Sequence, residues 1–166
     1  EQNGLMLSIL SQIGFDVTPM SGRVRLDRPR DFLPPRTHLI LKVRIDDQDW
    51  IYDAGVGSFS LTSPIKFDLD IEQPTPHETR RIVKENGIYF HQAQVDGEWK
   101  DVYEFTGEAM PLIDREVSSW WTSTNPNAKF SQNLMSSLAQ PNGVRKAILN
   151  DHFTRRRGSE ILETYQ

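Results

Sequence analysis

Short runs of alternating apolar and polar residues, separated by two-residue turn sequences, constrain the fold of this chain more than any other feature. Residues 39–45 alternate in this way, and residues 88–94 lie between the turn dipeptides Asn86-Gly87 and Asp96-Gly97. Alternation with a period of two is typical of a half-buried strand, and Asn-Gly or Asp-Gly between two such runs predicts a tight hairpin. Residues 15–105 therefore predict a series of short antiparallel strands, arranged as a small barrel or a sandwich.

The N-terminal residues follow a helical pattern before the strands begin. Apolar side chains at helical spacing predict an amphipathic helix over residues 3–13, and Gly14 is a suitable end for it. Two short strands are predicted next, at residues 15–17 and 23–26, with residues 19–22 as the turn between them. The predicted helix starts where the chain starts, so we expect an N-terminal portion of the protein to precede it.

The C-terminal third of the chain predicts one helix and then more strands. Residues 114–122 are predicted to form a short helix, with Trp120 and Trp121 packing it against the rest of the fold. Strands are predicted at residues 134–138 and 145–149, on either side of a Pro-Asn-Gly hairpin loop. The strand pattern then continues towards the last residue.

The composition excludes several classes of function. Apolar residues make up 37% of the chain and charged residues 25%, which is typical of a globular protein, and no apolar run approaches the length of a bilayer span. The net charge of −4 argues against a general nucleic-acid binder, and the one basic run, residues 155–157, is predicted to be a solvated surface. We therefore expect neither a membrane nor a nucleic acid as a partner. We also expect a cytoplasmic location.

The cysteine and histidine content limits the chemistry available within these residues. The sequence has no cysteine, so disulfides, thiolate metal sites and a cysteine nucleophile are excluded within the 166 residues. Its four histidines lack the spacing of metal ligands, so we expect no metal. His77 and His91 fall in a predicted loop and strand, and we interpret both as ordinary surface residues or hydrogen-bonded core residues.

His38 and Asp53 are the residues most suited to catalysis. His38 begins one strand-like run, Asp53 ends the next, and a histidine oriented by a carboxylate is the acid–base part of a nucleophilic triad. If the chain turns at residues 47–48, Asp53 lies opposite residue 42 and His38 is about 13 Å farther along the strand. On the pattern alone, a surface histidine and an aspartate at the entry of a turn is therefore the favoured interpretation.

Several motifs in order resemble the arylamine N-acetyltransferase family. The first residues, Glu1-Gln2-Asn3, resemble the end of the signature R-G-G-x-C-F-E-x-N. The family motifs G-F-x-V, G-R-V, P-x-R-T-H-L, W-x-x-D-V-G-F-G and T-P-H-E are matched, in that order, at residues 14–17, 22–24, 34–39, 50–57 and 75–78. Order and spacing hold over about the first 80 residues and more loosely to about Phe153.

The resemblance implies an acyltransferase with a Cys-His-Asp triad and a role in xenobiotic metabolism. An acetyl group from acetyl-CoA would pass to the cysteine and then to the nitrogen of an arylamine or hydrazine, or to an N-hydroxyl oxygen. His38 would take the thiol proton and Asp53 would orient the imidazole. The cysteine is expected two residues before Glu1, so this chain alone is expected to be inactive.

The resemblance also implies where the two substrates lie. Thr37 and Gly57 would contact acetyl-CoA, whereas Gly55 and Val56 would contact the small-molecule acceptor. Val56 stands where the family motif has an aromatic residue that faces the acceptor, so we expect a wider acceptor pocket with less ring stacking.

The expected fold is mostly β, a small antiparallel β-barrel with an N-terminal helix and the start of an α/β lid. Residues 1–14 would be the last helix of a helical N-terminal domain. Residues 15–112 would form the barrel that carries the histidine and the aspartate, and residues 113–166 would form an inter-domain helix and part of the C-terminal lid.

Two alternative functions remain open at this point. One is an amide synthase that closes macrolactams with the same triad, and the other is an inert barrel that acts only in binding. The apolar face of the helix over residues 3–13 would be exposed in this chain, so we also expect self-association.

Overall fold

Helix α1, Gln2–Gln12, opens the part of the chain that the computed structural model describes, which is residues 2–26 and 28–166. Gly14 follows it with φ of +95°, and the Phe15 amide donates to the carbonyl of Leu10 at 3.0 Å. A left-handed glycine with such a back-reaching hydrogen bond is a common helix end. The predicted helix and its predicted end are therefore both confirmed.

Seven antiparallel strands form the main sheet, in the order β4-β3-β2-β1-β7-β6-β5. The chain after β4 returns to β5 through a bridge between Gln73 and Arg80, which nearly closes the sheet into a barrel. This confirms the expected mostly-β barrel fold. The strands are β1 Asp16–Val24, β2 His38–Ile45, β3 Gln48–Tyr52, β4 Ile65–Lys66, β5 Arg80–Glu85, β6 Ile88–Val95 and β7 Glu98–Ala109.

The two tight hairpins of the barrel follow directly from their sequences. Asn86-Gly87 joins β5 to β6 and Asp96-Gly97 joins β6 to β7, and all of these turn residues have positive φ between 49° and 82°. Two successive residues with positive φ form the turn whose twist matches that of the flanking strands. The whole β5–β6 register and the β6–β7 register next to the turn were therefore predictable, whereas the shift in β6–β7 between His91 and Gln92 was not.

Strand β1 corrects the prediction of two strands separated by a turn at residues 19–22. The strand is continuous, and Pro19 pairs with Leu41 of β2. A register shift against β7 between Met20 and Gly22 accounts for the turn-like residues, because a bulge tolerates proline and glycine. A side chain at Gly22 would place its Cβ 2.9 Å from the carbonyl oxygen of Glu104, so the close approach of β7 requires glycine.

The barrel core consists of inward-facing side chains from β1 to β7 and from the loop after β3. A fully buried aliphatic or aromatic side chain contributes about 1.5–3 kcal/mol, so this cluster is the main source of stability. Its buried members are Met20, Ile40, Ile51, Val56, Ile65, Ile82, Ala93, Val102, Tyr103 and Phe105.

A second antiparallel sheet follows the barrel, in the order β11-β10-β9-β8. It confirms the predicted hairpin around the Pro-Asn-Gly loop. No helix in the described part of the chain is long and apolar enough to cross a membrane. The elements after β7 are α2 Leu112–Thr124, α3 Lys129–Gln132, β8 Met135–Ala139, β9 Val144–Leu149, β10 His152–Arg157 and β11 Glu160–Tyr165.

Helix α2 confirms the predicted helix but not the predicted packing of its tryptophans. Trp120 is 64% exposed and Trp121 is 38% exposed, and α2 has no buried residue. The helix packs mainly against α3, which has four residues and covers little apolar surface. The apolar face of α2 is therefore open to solvent in this structure.

Candidate active site

The register of the β2–β3 hairpin determines whether His38 and Asp53 can meet. Ile45 pairs with Gln48, so the turn residues are Asp46 and Asp47, one position earlier than the predicted turn. Leu41 pairs with Tyr52, which places Asp53 beside residue 40 rather than residue 42. The two side chains are then diagonal neighbours, a separation that long side chains can bridge across a strand pair.

The structure brings His38 and Asp53 into a hydrogen bond. His38 Nε2 lies 2.7 Å from Asp53 Oδ2. The Asp53 side chain is fully buried and the His38 side chain is 9% exposed, so the carboxylate lies behind the imidazole and away from solvent. The interpretation of a surface histidine and a separate turn aspartate is therefore wrong.

Asn3 is a residue of this site that the sequence reasoning missed. Its Nδ2 donates to Asp53 Oδ1 at 2.7 Å and to the carbonyl of Leu39 at 2.6 Å, and its Oδ1 accepts from the Ala54 amide at 2.9 Å. A side chain at Gly55 would place its Cβ 3.0 Å from Asn3 Nδ2, so this contact also favours glycine there. Asn3 is the asparagine of the E-x-N motif, and this match was the one feature of the sequence that could have indicated its role.

The surroundings of Asp53 keep it ionised. Burial by itself would raise the pKa of this carboxyl, but the positive charge of His38 in its protonated form, the His38 hydrogen bond, and the hydrogen bonds from Asn3 and the Gly55 amide lower it below its ordinary value. An ionised carboxylate is only an acceptor, so His38 Nε2 must carry the proton. The Nδ1 lone pair of His38 is then left to accept a proton from another group.

Aromatic and polar residues of the barrel interior lie behind His38. Its ring centroid is 5.3 Å from that of Tyr103, and Tyr103 is 4.6 Å from His91. His91 is fully buried and neither ring nitrogen has a hydrogen-bond partner among the described residues, which corrects the expectation of a hydrogen-bonded core histidine. Burial and the charge of Arg80 lower the pKa of His91 well below its ordinary value, so this ring is neutral. His77, in contrast, lies 3.1 Å from both the Thr62 hydroxyl and the Val144 carbonyl, as expected.

The Gly55-Val56-Gly57 turn begins two residues after Asp53. Gly57 has φ of +65°, is exposed, and begins a short 3₁₀ turn. Val56 is 6% exposed and belongs to the barrel core, whereas Gly55 and Thr37 are half-buried. The substrate-binding roles expected for these four residues remain predictions.

The basic run at residues 155–157 is solvated only in part. Arg155 and Arg156 are both half-buried; the Arg155 guanidinium lies 3.8 Å from Glu163, whereas Arg156 donates to the carbonyl of Ser58 at 3.3 Å. Successive side chains of β10 point to opposite faces of the sheet, so the middle arginine faces the barrel. The predicted solvated surface is therefore wrong for Arg156.

No metal-binding cluster is found among the described residues, and two surface depressions lie away from this site. Within residues 2–26 and 28–166, no group of histidine, aspartate and glutamate side chains is arranged to hold a metal ion. One depression lies between Arg28 and Asp101, and another lies between Trp50 and Pro74, and neither is lined by His38 or Asp53.

The arrangement of these groups defines a chemical class. A histidine that donates through Nε2 to a buried, ionised aspartate, and whose Nδ1 makes no hydrogen bond within residues 2–26 and 28–166, has the geometry of the acid–base part of a nucleophilic triad. Such a pair activates a thiol or hydroxyl nucleophile in enzymes that transfer or hydrolyse acyl groups.

Comparison with known proteins identifies the family. The family model described as N-acetyltransferase matches residues 1–166. An arylamine N-acetyltransferase / N-hydroxyarylamine O-acetyltransferase of Salmonella typhimurium is 34% identical over 163 residues, which are 98% of this chain and 58% of that protein. An arylamine N-acetyltransferase of Mycolicibacterium smegmatis is 41% identical over 137 residues, 81% of this chain and 50% of that protein.

A solved structure agrees with the sequence comparison. The Mycobacterium marinum arylamine N-acetyltransferase in complex with CoA superposes with a TM-score of 0.91 at 28% identity, covering 98% of this chain and 60% of that one. The chain belongs to the arylamine N-acetyltransferase family, whose members are acyltransferases. It spans between a half and three fifths of the length of the relatives described here.

Proposed function

We propose that this chain carries the histidine and aspartate of a cysteine-dependent acetyltransferase. The enzyme would move an acetyl group from acetyl-CoA to the nitrogen of an arylamine or hydrazine, or to an N-hydroxyl oxygen. The 2.7 Å contact between His38 Nε2 and the buried Asp53 carboxylate is the observation that supports this most strongly. The names of the relatives and the CoA complex of the M. marinum protein support the substrate classes.

The first half of the proposed reaction forms an acetyl-cysteine. Because these 166 residues contain no cysteine, the thiol would come from elsewhere in the complete protein, at the position that the resemblance places two residues before Glu1. His38 Nδ1 takes the thiol proton, and the thiolate attacks the carbonyl carbon of the acetyl thioester. The carbon–sulfur bond to coenzyme A then breaks, and coenzyme A leaves as a thiol with the proton from His38.

The second half passes the acetyl group to the acceptor. The acceptor nitrogen attacks the carbonyl carbon of the acetyl-cysteine, His38 takes a proton from that nitrogen, and the cysteine leaves as a thiolate. Asp53 stays ionised throughout and stabilises the imidazolium that forms in each half. Thr37 and Gly57 are proposed to contact acetyl-CoA, and Gly55 and Val56 the acceptor.

The proposal includes the organisation of the protein. Residues 1–14 would end a helical N-terminal domain, residues 15–112 form the catalytic barrel, and residues 113–166 form an inter-domain helix and part of a lid. We also propose a cytoplasmic location, a small-molecule acceptor as the partner, and self-association of the 166-residue chain. The 166-residue chain by itself would not be acetylated, since it has no thiol.

The test uses the protein encoded by the complete reading frame. Incubation with acetyl-CoA is expected to add one acetyl group to a cysteine, and later addition of an arylamine is expected to remove it. His38→Gln and Asp53→Asn are expected to slow acetylation by at least about a thousandfold. His152→Gln is the matched control, because His152 is exposed and distant in the sequence from the site.

Three outcomes would contradict the proposal. Unimpaired acetylation of the His38→Gln protein would exclude the histidine as the base. Transfer of larger acyl groups without any use of acetyl-CoA would favour the macrolactam-forming amide synthase, and no covalent acylation at all would favour the inert binding barrel.

A further inference from the structure

Three consecutive backbone carbonyls beside the candidate site each accept a hydrogen bond from a different arginine. These arginines come from β5 of the barrel and from β9 and β10 of the second sheet. The pairs are Arg156 Nη2 to Ser58 O at 3.3 Å, Arg80 Nη2 to Phe59 O at 3.0 Å and Arg145 Nη2 to Ser60 O at 3.1 Å.

One buried carboxylate holds two of these arginines together. Glu78 accepts from Arg145 Nε at 2.9 Å and Nη2 at 2.7 Å, and from Arg80 Nη2 at 2.8 Å. The Glu78, Arg80 and Arg145 side chains are at most 6% exposed. Glu78 binds Arg145 through two nitrogens, which fixes that guanidinium plane, and it binds Arg80 through Nη2, which holds that nitrogen beside the same carboxylate.

The carbonyls that the arginines hold belong to the turn that begins at Asp53. The Leu61 amide donates to the Asp53 carbonyl at 2.8 Å, and the Ser60 amide donates to the Gly57 carbonyl at 3.0 Å. The backbone from Asp53 to Leu61 is therefore closed on itself by its amides and attached to both sheets by its carbonyls. A displacement of residues 58–60 would therefore also move the Asp53 backbone, because the Leu61 amide is hydrogen-bonded to the Asp53 carbonyl.

We propose that Arg80, Arg145 and Arg156, with Glu78, are positioning residues that hold the Asp53–Leu61 turn in the geometry that the His38–Asp53 pair requires. The second sheet then contributes to the active site through Arg145 and Arg156 without touching the reacting atoms. This inference rests on the proposed function for its catalytic consequence, but the positioning itself is a property of the folded chain.

Hydrogen exchange in the 166-residue chain tests the positioning directly. Arg156→Met removes every donor of that side chain and keeps much of its apolar length. Loss of a hydrogen bond from a charged group is expected to speed the exchange of the Ser60 and Leu61 amides by at least about tenfold, while the amides of β6 and β7 keep their rates. Arg156→Lys retains one charged donor and is expected to recover most of the protection.

Arg155→Met is the matched control, because it changes the neighbouring arginine of the same strand, whose guanidinium lies 3.8 Å from Glu163 of β11. Equal exchange rates at Ser60 and Leu61 in the Arg155 and Arg156 variants would overturn the proposal. Faster exchange spread evenly over the whole barrel would also overturn it, since that result indicates a general loss of stability. Glu78→Gln provides a second variant and is expected to expose the same two amides.

Acetyl transfer by the complete protein tests the catalytic consequence. Arg156→Met is expected to lower kcat for acetylation at least about fivefold at an unchanged urea midpoint, and Arg156→Lys to restore it, because a displaced turn misplaces Asp53. Unchanged kcat with faster local exchange would overturn the positioning role at the site. If the unmodified protein transfers no acetyl group, the proposed function fails, and the exchange experiment still decides whether the arginines hold the turn.

Discussion

Replacing Asn3 by alanine removes the only side chain of α1 that joins the helix to the carboxylate of the candidate site within the described residues. Asn3 is 3% exposed and makes hydrogen bonds to Asp53, Leu39 and Ala54. The substitution leaves the Leu39 carbonyl and the Ala54 amide without this partner. Asp53 Oδ1 keeps its hydrogen bond from the Gly55 amide, so the carboxylate loses one of two donors on that oxygen.

The expected loss of stability follows from these three hydrogen bonds. Each of the two bonds to neutral backbone groups contributes about 1 kcal/mol net, and the bond to the ionised carboxylate contributes about 1.5–3 kcal/mol. Asn3→Ala is therefore expected to lower the free energy of unfolding by about 3–5 kcal/mol, a large part of the stability of a typical domain. Alanine also favours helix by a few tenths of a kcal/mol, which offsets little of the loss.

Urea unfolding at neutral pH measures this difference, with Ser8→Ala as the matched control on the same helix. Ser8 is exposed, and its replacement brings the same kind of gain in helix propensity without a buried hydrogen bond. A loss of less than about 1 kcal/mol for Asn3→Ala relative to Ser8→Ala would refute the reasoning, because it would mean that the three bonds have no net value.

Four further predictions follow from the same structure. The pKa values of the Asp53 and Glu78 carboxyls are below their ordinary values, so the unfolded chain binds protons first and the free energy of unfolding declines as pH falls below about 4. Urea unfolding at several pH values between about 6 and 3 should show a smaller decline for Asp53→Asn than for the unmodified chain, and an equal decline would contradict this. The pKa of the buried His91 is well below its ordinary value, so the unfolded chain binds a proton first and the free energy of unfolding should fall as pH drops below about 6.5; His91→Leu should remove this part of the fall, and an unchanged pH dependence would contradict it. In the complete protein, Val56→Phe should change the relative rates with small anilines and larger acceptors, whereas identical rate profiles would refute an acceptor-facing role; because Val56 is buried, it should also cost about 1–3 kcal/mol of stability by overpacking. Exposed apolar side chains on α1 and α2, among them Leu5, Ile9 and Trp120, should make this chain self-associate, and a monodisperse monomer in light scattering at micromolar concentration would disprove it.

The parts of the fold that were predictable are those with a strong local cause. The Asn86-Gly87 and Asp96-Gly97 dipeptides tolerate the positive φ that a tight turn requires, so they fix the turn and the strand pairing next to it. Gly14 ends α1 for the same local reason. Periodicity alone was sufficient for these elements because each one is determined by residues that are close in sequence.

The β2–β3 hairpin shows where local reasoning fails. Its turn, Asp46-Asp47, contains no glycine, so the sequence does not determine which two residues form it. Moving the turn by one position changes the pairing by two residues, and this decided between a separation of about 13 Å and a hydrogen bond for His38 and Asp53. The resemblance to the family paired these residues, whereas the alternation pattern argued against them.

The remaining site residues depend on contacts between distant parts of the chain. Asn3 lies 50 positions from Asp53 in the sequence, and Arg145 lies 85 positions from Ser60. Side chains that bind backbone carbonyls of another element leave no periodic signal, so Arg80, Arg145 and Arg156 were not recognisable as parts of the site. The proline and glycine of β1 led to the wrong prediction of a turn at residues 19–22, because a bulge against β7 uses the same residue types as a turn.

The most direct test of the proposed site is the protonation of the two His38 ring nitrogens, observed by NMR of the ¹⁵N-labelled 166-residue chain. Donation of Nε2–H to Asp53 predicts a single tautomer of the neutral ring, with the proton on Nε2 and a bare Nδ1, and loss of this preference in Asp53→Ala. A proton on Nδ1, or the rapidly exchanging mixture of tautomers seen for a free histidine, would contradict the account.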